Sequence, residues 1–565
     1  MAISLDDVAL ALQHAIDRLV RRLRRGAAPV PGHRRFLIVQ IDGLSRVALD
    51  DALTSGRMPF LARLLARQQY RLEPMAVGMP TSTPAFQMSA MYGVRPDIPG
   101  FHYYDRERGG DIHFPRPGHA AWVEARQAAG RRGILDGGSA YGCVFTGGAE
   151  NDLFSFTRLT RPTGRGLVCA LSAVVVLVWV GVKSLVQTAV ELVRALLRLI
   201  ANPVADQGWR WLTIQIAISV WIRGFFTLAA SRDLYAGAPA LYVNYIDYDV
   251  AAHAFGPRSR RALRTLRGID RAIRQLMRAA RRVPEHRYDV YVLSDHGQAL
   301  CTPFRDVAGA GRFERWVFTE FLAGAASREP EVGRCGLIRG PEVGRSGPIR
   351  GPEVGRSGLI RGLGARRKGT AGFFQHFVNY LDEEFLRRAE GDAHEEDGIR
   401  VISAGPNAFL YALDAAAPLD AAALERRCPG LAEELSRHPA VGFVLARSDG
   451  GPLCFWRGKR YRLGGGDPAA PFAGRPDRAL AVQGLLDLMA MPSAGDLVIY
   501  GIDASAGHVS FIPEVGAHAG PSPEELHTFI VRPASVTVPG PLTHPTQLYD
   551  HFMEYQTART RPADA

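Results

Sequence analysis

Lysine is nearly missing from this chain. Only Lys183, Lys368 and Lys459 are lysines among 68 basic residues, and the remaining arginines are spread along all 565 positions. The net charge of +12 therefore reads as an arginine-biased genome rather than a nucleic-acid surface. No aromatic-interleaved basic patch and no zinc-finger spacing accompanies it, so no nucleic-acid binding is expected. Cysteine is scarce as well. Cys143, Cys169, Cys301, Cys335, Cys428 and Cys454 stand apart without a CxxC pair, which excludes a disulfide scaffold and fits a reducing compartment. No secretory signal is expected: the first 25 residues carry acids early and interrupt their apolar positions with charge. They read as an amphipathic helix, and the basic cluster from Arg18 to Arg35 suits a membrane surface.

What is present is ample apolar sequence, 47% of the chain, enough for two or three structural units. The run "RRFLIVQIDGL" (Arg34 to Leu44) predicts a buried strand ending at Asp42-Gly43. "ALYVNYID" (Ala240 to Asp247) and "YDVYVLSDHG" (Tyr288 to Gly297) predict two more. Between these two, Leu263, Leu266, Ile269, Ile273 and Met277 mark one face of a helix over Arg260 to Arg281. Strand, helix, strand in that order predicts a parallel sheet sandwiched by helices. Ligands in such sheets gather at the carboxyl ends of the strands, and all three runs place acids there.

Two insertions interrupt the plan. "LVCALSAVVVLVWVGV" (Leu167 to Val182) and "WRWLTIQIAISVWIRGFFTLAA" (Trp209 to Ala230) flank an Asn202-Pro203 break. With four of the seven tryptophans, they predict a membrane-associated helical hairpin over 166–231. Lys183 and Arg223 would snorkel at the interface. The plainer alternative is a pair of buried core helices. The second insertion is an 11-residue repeat, "PEVGRCGLIRG" and its two successors, whose Gly, Pro and Arg content cannot bury a core. The resulting organisation is an N-terminal amphipathic helix over 1–33, a catalytic unit in three parts (34–165, 232–328 and 498–550), the hairpin (166–231) and a repeat linker (329–368). A small α/β cap (369–497) and a disordered tail (551–565) complete it.

A two-metal hydrolytic site needs carboxylates and imidazoles for each ion, and a nucleophile beside them. Asp42, Asp249, His253, Asp295 and His296 stand at the three strand ends. Asp249 and His253, at i and i+4, would share one face of a helical turn. "MPTSTPAFQMSAMYGV" offers hydroxyls at Thr81, Ser82 and Thr83 before a helical segment, and His518 sits among small residues. Singly, each has a plainer reading as a turn, a strand end or a helix cap. Together they fall in order on one predicted sheet edge.

Here the chain resembles the alkaline phosphatase superfamily, in its type I phosphodiesterase/nucleotide pyrophosphatase branch. The resemblance rests on Asp42-Gly43, Pro80-Thr81-Ser82-Thr83 with Gly93 ten residues on, Asp249-x-x-x-His253-x-x-Gly256-Pro257, Ser294-Asp295-His296-Gly297, and His518. It implies an alkaline-phosphatase-like α/β fold and two divalent ions, with zinc the expected metal. One ion would be held by Asp249, His253 and His518. The other would be held by Asp42, Asp295, His296 and Thr83, the nucleophile. Departures lie at Pro84-Ala85-Phe86 and Pro99-Gly100-Phe101, where the branch has Phe-Pro-Asn and His-Gly-Ile. The asparagine that contacts a phosphate oxygen is thus missing from that spot. Asp247 is expected to be structural, His527 a surface residue on a helix, and Ser82 the fallback nucleophile.

The implied protein is a phosphodiesterase or pyrophosphatase on a lipid- or nucleotide-derived phosphate ester. It would be attached to a bacterial inner membrane with the catalytic unit on the cytoplasmic side. The alternatives are a phosphomonoesterase or phosphoryl-group transferase on the same ions, or a catalytically silent membrane scaffold.

Overall fold

The computed structural model of the protein describes residues 34–153, 216–322 and 393–560, apart from positions 115, 310 and 468–470, with isolated positions 185, 188, 189 and 214. The expected N-terminal helix (1–33), the repeat (329–368) and most of the hairpin lie outside these residues.

The fold is α/β, built on a seven-stranded sheet. Its strands are β1 (Arg35–Ile41), β2 (Tyr70–Ala76), β3 (Ser139–Tyr141), β4 (Asn151–Leu153), β5 (Ala240–Tyr245), β6 (Tyr288–Leu293) and, from the far end of the chain, β14 (His527–Pro533). They lie in the order β2-β14-β6-β1-β5-β3-β4, and every strand except β14 runs in one direction. The central strand β1 carries the apolar run Phe36 to Val39 because helices cover both its faces, leaving those four residues with no exposed surface. Register then sets the height of the strand ends. Ile41 stands opposite Tyr245, and Gln40 stands opposite Leu293. Continuing that pairing by two residues brings Asp42 beside Asp295.

Five helices matter for the site: α1 (Thr83–Tyr92), α2 (Arg223–Ala236), α3 (Asp247–Phe255), α4 (Arg260–Arg281) and α5 (Thr546–Thr560). Helix α4 has the bounds that its periodicity predicts, and Leu266, Ile269, Ile273 and Met277 are buried in the core below the sheet. Helix α1 is buried on all sides, and its one amide, Gln87, is satisfied by Gln40 Oε1 at 3.1 Å and Val144 N at 2.7 Å.

A second sheet forms from β7 (Ala393–Glu396), β8 (Ile399–Ser403), β9 (Asn407–Ala412), β10 (Phe443–Ala446), β11 (Leu453–Trp456), β12 (Lys459–Arg462) and β13 (Leu497–Tyr500). Its order is β7-β8-β9-β13-β10-β11-β12, antiparallel throughout. Six of its strands fall within the expected cap, and its middle strand β13 straddles the expected boundary at 497.

Three details differ from the expectation, at Arg223, at the tail and at His527. Among the described residues no helix is long and apolar enough to cross a membrane. The described end of the hairpin segment, a π-helical stretch (Ala217–Ile222) running into α2, packs against α4. Arg223 does not reach for an interface. Its Nη1 lies 2.5 Å from Asp247 Oδ1, and its guanidinium rests over Gly268 of α4. A buried carboxylate needs a cation, and Arg223 is placed to supply it. The expected tail is helical as far as Thr560, because α5 buries Leu548, Phe552 and Gln556 at intervals of four. Finally, the helix after Ser522 is a single turn, Pro523–Leu526, so His527 opens β14 and meets Asp477 at 2.9 Å.

Candidate metal centre

Strand β1 ends in a turn at Gly43, which has a positive φ. A side chain there would run into Asp249 Oδ1, so only glycine fits. The turn aims Asp42 across the sheet edge. Its Oδ1 accepts from Thr83 Oγ1 at 3.2 Å, and its Oδ2 accepts from Asn244 Nδ2 at 2.7 Å. From β6, Ser294 splices the two strand ends by donating to Ile41 O at 2.7 Å and accepting from Leu44 N at 2.9 Å. Asp295 and His296 are thereby fixed beside Asp42. His296 Nε2 lies 3.2 Å from Thr83 Oγ1 and 3.4 Å from both Asp42 Oδ1 and Asp295 Oδ2. Thr83 is the first residue of α1, where unsatisfied backbone N–H groups favour an anion.

The second half of the site comes from α3 and the loop that holds His518. His253 Nε2 lies 3.3 Å from Asp249 Oδ2, one helical turn away. The His518 ring stacks on His296 with centroids 3.8 Å apart, and its centroid lies 5.0 Å from that of His253. All seven sequence-predicted residues therefore meet in one place. Two ligand groupings have donor atoms mutually within 4.8 Å: Asp42, Asp295 and His296, and Asp249, His296 and His518. In the second, His296 stands where His253 is expected; His253 stays adjacent through Asp249. The Oγ of Ser82, the fallback nucleophile, is buried without a hydrogen-bond partner among the described residues.

The imidazoles share one feature that bears on metal fit. Nδ1 of His253, His296 and His518 each lies against a backbone carbonyl, of Gly516 at 2.8 Å, Gly297 at 3.0 Å and Thr81 at 2.8 Å. A carbonyl only accepts, so each Nδ1 carries a proton and Nε2 is the nitrogen left to face the carboxylates. Against burial, Glu514 and Asp249 raise the pKa of His253, and Asp295 and Asp42 raise that of His296. A cation bound there would take the place of the Nε2 protons. The carboxylates point the same way. Asp295 is buried, its Oδ2 has no hydrogen-bond partner among the described residues, and burial followed by the neighbouring Asp42 charge raises its pKa. Burial alone would raise Asp249 too, but His253, then His518 and His296, hold it below the ordinary carboxylate range. His518 is pushed well below its usual value by burial and then by its two imidazole neighbours. Three carboxylates and three imidazoles converging on one place are a donor set that fits divalent ions.

Sequence reasoning missed three neighbours. Asn244 holds Asp42, Gln298 holds Asp249 through Nε2 at 2.5 Å, and Glu514 lies 3.1 Å from His253 Nδ1. All three lie inside or within a few residues of the motif stretches: Asn244 at the end of β5, Gln298 directly after Gly297, and Glu514 four residues before His518.

The family model for type I phosphodiesterase / nucleotide pyrophosphatase matches residues 36–317. Among solved structures, phosphonoacetate hydrolase from Sinorhizobium meliloti 1021, in complex with phosphonoformate, is similar at 14% identity with a TM-score of 0.46, covering 94% of this chain and 96% of that one. The same hydrolase in complex with phosphonoacetate gives a TM-score of 0.45 at 14% identity, with the same coverage. No curated protein matches the chain.

Proposed function

This chain belongs to the type I phosphodiesterase / nucleotide pyrophosphatase family and is a phosphoric ester hydrolase, and from that premise we propose a metal-dependent phosphodiesterase with Thr83 as nucleophile. The observation that carries the reading is the setting of Thr83. Its Oγ1 stands 3.2 Å from both Asp42 and His296, at the start of a buried helix whose N–H groups face the same space. Asp42, Asp295, His296 and Thr83 would hold one ion, and Asp249, His253 and His518 the other, with zinc the expected metal. Bound there, the ions supply the Lewis acidity that lets a threonine hydroxyl ionise near neutral pH and that offsets the charge of the phosphoryl group.

The protein's own residues do the rest. The N-terminus of α1 orients the phosphoryl oxygens. Thr83 Oγ1 forms a bond to phosphorus as the bond to the leaving oxygen breaks, and the hydroxyl proton passes to solvent. Water then attacks the phospho-threonine, restoring the hydroxyl and releasing a phosphate monoester. Asp249, His253 and His518 keep partial solvent access, whereas Asp42, Asp295 and His296 are buried, so leaving group and water enter from the first side.

We place the enzyme at the inner face of a bacterial membrane, acting on a lipid- or nucleotide-derived ester. The hydrophobic stretch over 167–230 supports the lipid option by proximity. Hydrolysis of bis-p-nitrophenyl phosphate and p-nitrophenyl phosphate, with and without chelator, tests the chemistry. Chelation is expected to abolish turnover, and the diester is expected to be the better substrate; a faster monoester would favour a phosphomonoesterase. Full activity in Thr83→Ala, or indifference to chelator, would defeat the mechanism. Recovery of the full chain in the soluble fraction after cell fractionation would defeat the membrane assignment.

A further inference from the structure

Gln298 and Glu514 take no part in the reaction as proposed, yet both are built tightly into the candidate centre. Gln298 is buried, and its Nε2 donates to Asp249 Oδ1 at 2.5 Å and to Asp249 O at 3.2 Å. Its Oε1 lies against Gly516, with no hydrogen-bond partner among the described residues. A buried amide with one end unsatisfied is costly, and an apolar residue of similar size would avoid the cost. The end that is satisfied serves a single carboxylate oxygen. That oxygen is also walled in by Gly43, while Oδ2 faces His253 Nε2 at 3.3 Å.

His253 has the matching arrangement on its other nitrogen. Nδ1 lies 2.8 Å from Gly516 O and 3.1 Å from Glu514 Oε2. His296 and His518 turn Nδ1 toward backbone carbonyls of Gly297 and Thr81. Among the described residues, His253 alone of the three imidazoles has a carboxylate at Nδ1. A carboxylate behind an imidazole fixes its orientation and makes the far nitrogen a stronger donor.

We propose that Gln298 and Glu514 are positioning residues for the solvent-facing metal position. Gln298 occupies Asp249 Oδ1, leaving Oδ2 as the single oxygen offered to the ion, and Glu514 holds His253 with Nε2 toward the same ion. This assignment rests on the metal-dependent reading above. It predicts that the two ions respond unequally when either residue is changed.

The test uses full-length protein stripped of metal and titrated with Zn2+ against a chromophoric chelator, with Co2+ absorption as a second readout. Wild type is expected to take up two ions. Gln298→Leu and Glu514→Gln are each expected to weaken one ion by about 10- to 100-fold, leave the other unchanged, and alter one set of Co2+ bands. Thermal unfolding of the metal-free variants should match metal-free wild type. Equal weakening of both ions, or of neither, overturns the assignment, as does early unfolding with normal uptake of both ions. The two substitutions lie on different segments, so failure of one to fold leaves the other decisive. A wild type that takes up no ion overturns instead the reading on which the assignment rests.

Discussion

The molecule carries two seven-stranded sheets that differ in direction. In the first, six strands run one way and only β14 opposes them; in the second, every neighbour alternates. Direction decides where side chains can be pooled. A parallel sheet brings the carboxyl ends of successive strands to one edge, and there the chain sets Asp42, the α3 residues and Asp295-His296. An antiparallel sheet sends alternate ends to opposite edges, so no edge collects them. The second sheet instead contacts the first unit from the side. Arg106 pairs with Asp496 at 2.8 Å, and Ser493 donates to Asp97 from both its backbone N at 2.9 Å and its Oγ at 2.7 Å.

The comparison breaks most clearly through activity. Asp295→Asn should slow hydrolysis by about a thousandfold, because groups acting as a unit fail together. Arg460→Ala, on the edge strand β12 of the second sheet, should leave turnover of a small diester within about twofold. Steady-state kinetics on both variants decides the matter. A large loss in Arg460→Ala would mean that chemistry is not confined to the first sheet edge.

Removing the cation beneath that edge should cost stability. Arg223→Ala leaves the Asp247 carboxylate buried without its partner, a defect that costs about 3–5 kcal/mol. Urea unfolding measures it, and the double variant Arg223→Met/Asp247→Leu should recover most of the loss. An unchanged midpoint in Arg223→Ala would mean that this pair does not join α2 to the metal-bearing helix.

Gly405 sharpens the comparison, because it is where the second sheet leans on the first unit's site. It lies in the turn between β8 and β9 with φ near +124°, and a Cβ there would stand 3.1 Å from His518 O. Gly405→Ala should strain the turn and displace the His518 loop, lowering kcat/KM about tenfold at a stability cost of about 1–2 kcal/mol. Unchanged kinetics would show that the sheets act independently.

The contrast between the sheets also explains what could be read from the sequence. Strands β1, β5 and β6 are buried on both faces, so each is mostly apolar, broken only by Gln40, Asn244 and Asp289 within, and the residues that follow them carry the motifs. Helix α4 was legible from its spacing. The second sheet was only half legible because its edge strands, "AHEE" and "KRYR", are polar and show no alternation that marks a buried face. The Arg223–Asp247 pair was hidden by its separation of 24 residues, which no local period reports. The position of His296 between two ligand groupings was likewise invisible, since spacing along the chain does not say which carboxylates an imidazole faces. For α5 the signal existed: Leu548, Phe552 and Gln556 recur every four residues within a polar composition that resembles a tail.

The last effect concerns two histidines outside the candidate centre. His119 lies beside the antiparallel strand pair His102–Asp105 and Gly110–His113, whose Asp111 meets Arg400 of the second sheet, and His544 packs over Gly78 beside the first. In each, Nδ1 accepts a backbone N–H, from His113 at 2.9 Å and from Thr546 at 3.2 Å, so the folded state holds a neutral ring. Burial first, then nearby arginines, bring both down to about 4. The unfolded chain takes up these protons from about pH 6.5, whereas the folded chain resists until about 4. Between those values the unfolded state binds more protons, so stability must fall as the pH falls, by up to about 1.4 kcal/mol per pH unit for each ring. Partial solvent exposure screens both rings and makes the observed slope smaller. Urea midpoints at pH 7 and pH 5 should therefore separate in wild type and draw together in His119→Gln/His544→Gln. If the double variant loses as much stability in acid as wild type, the acid sensitivity belongs to other groups, and these two rings do not link either sheet to pH.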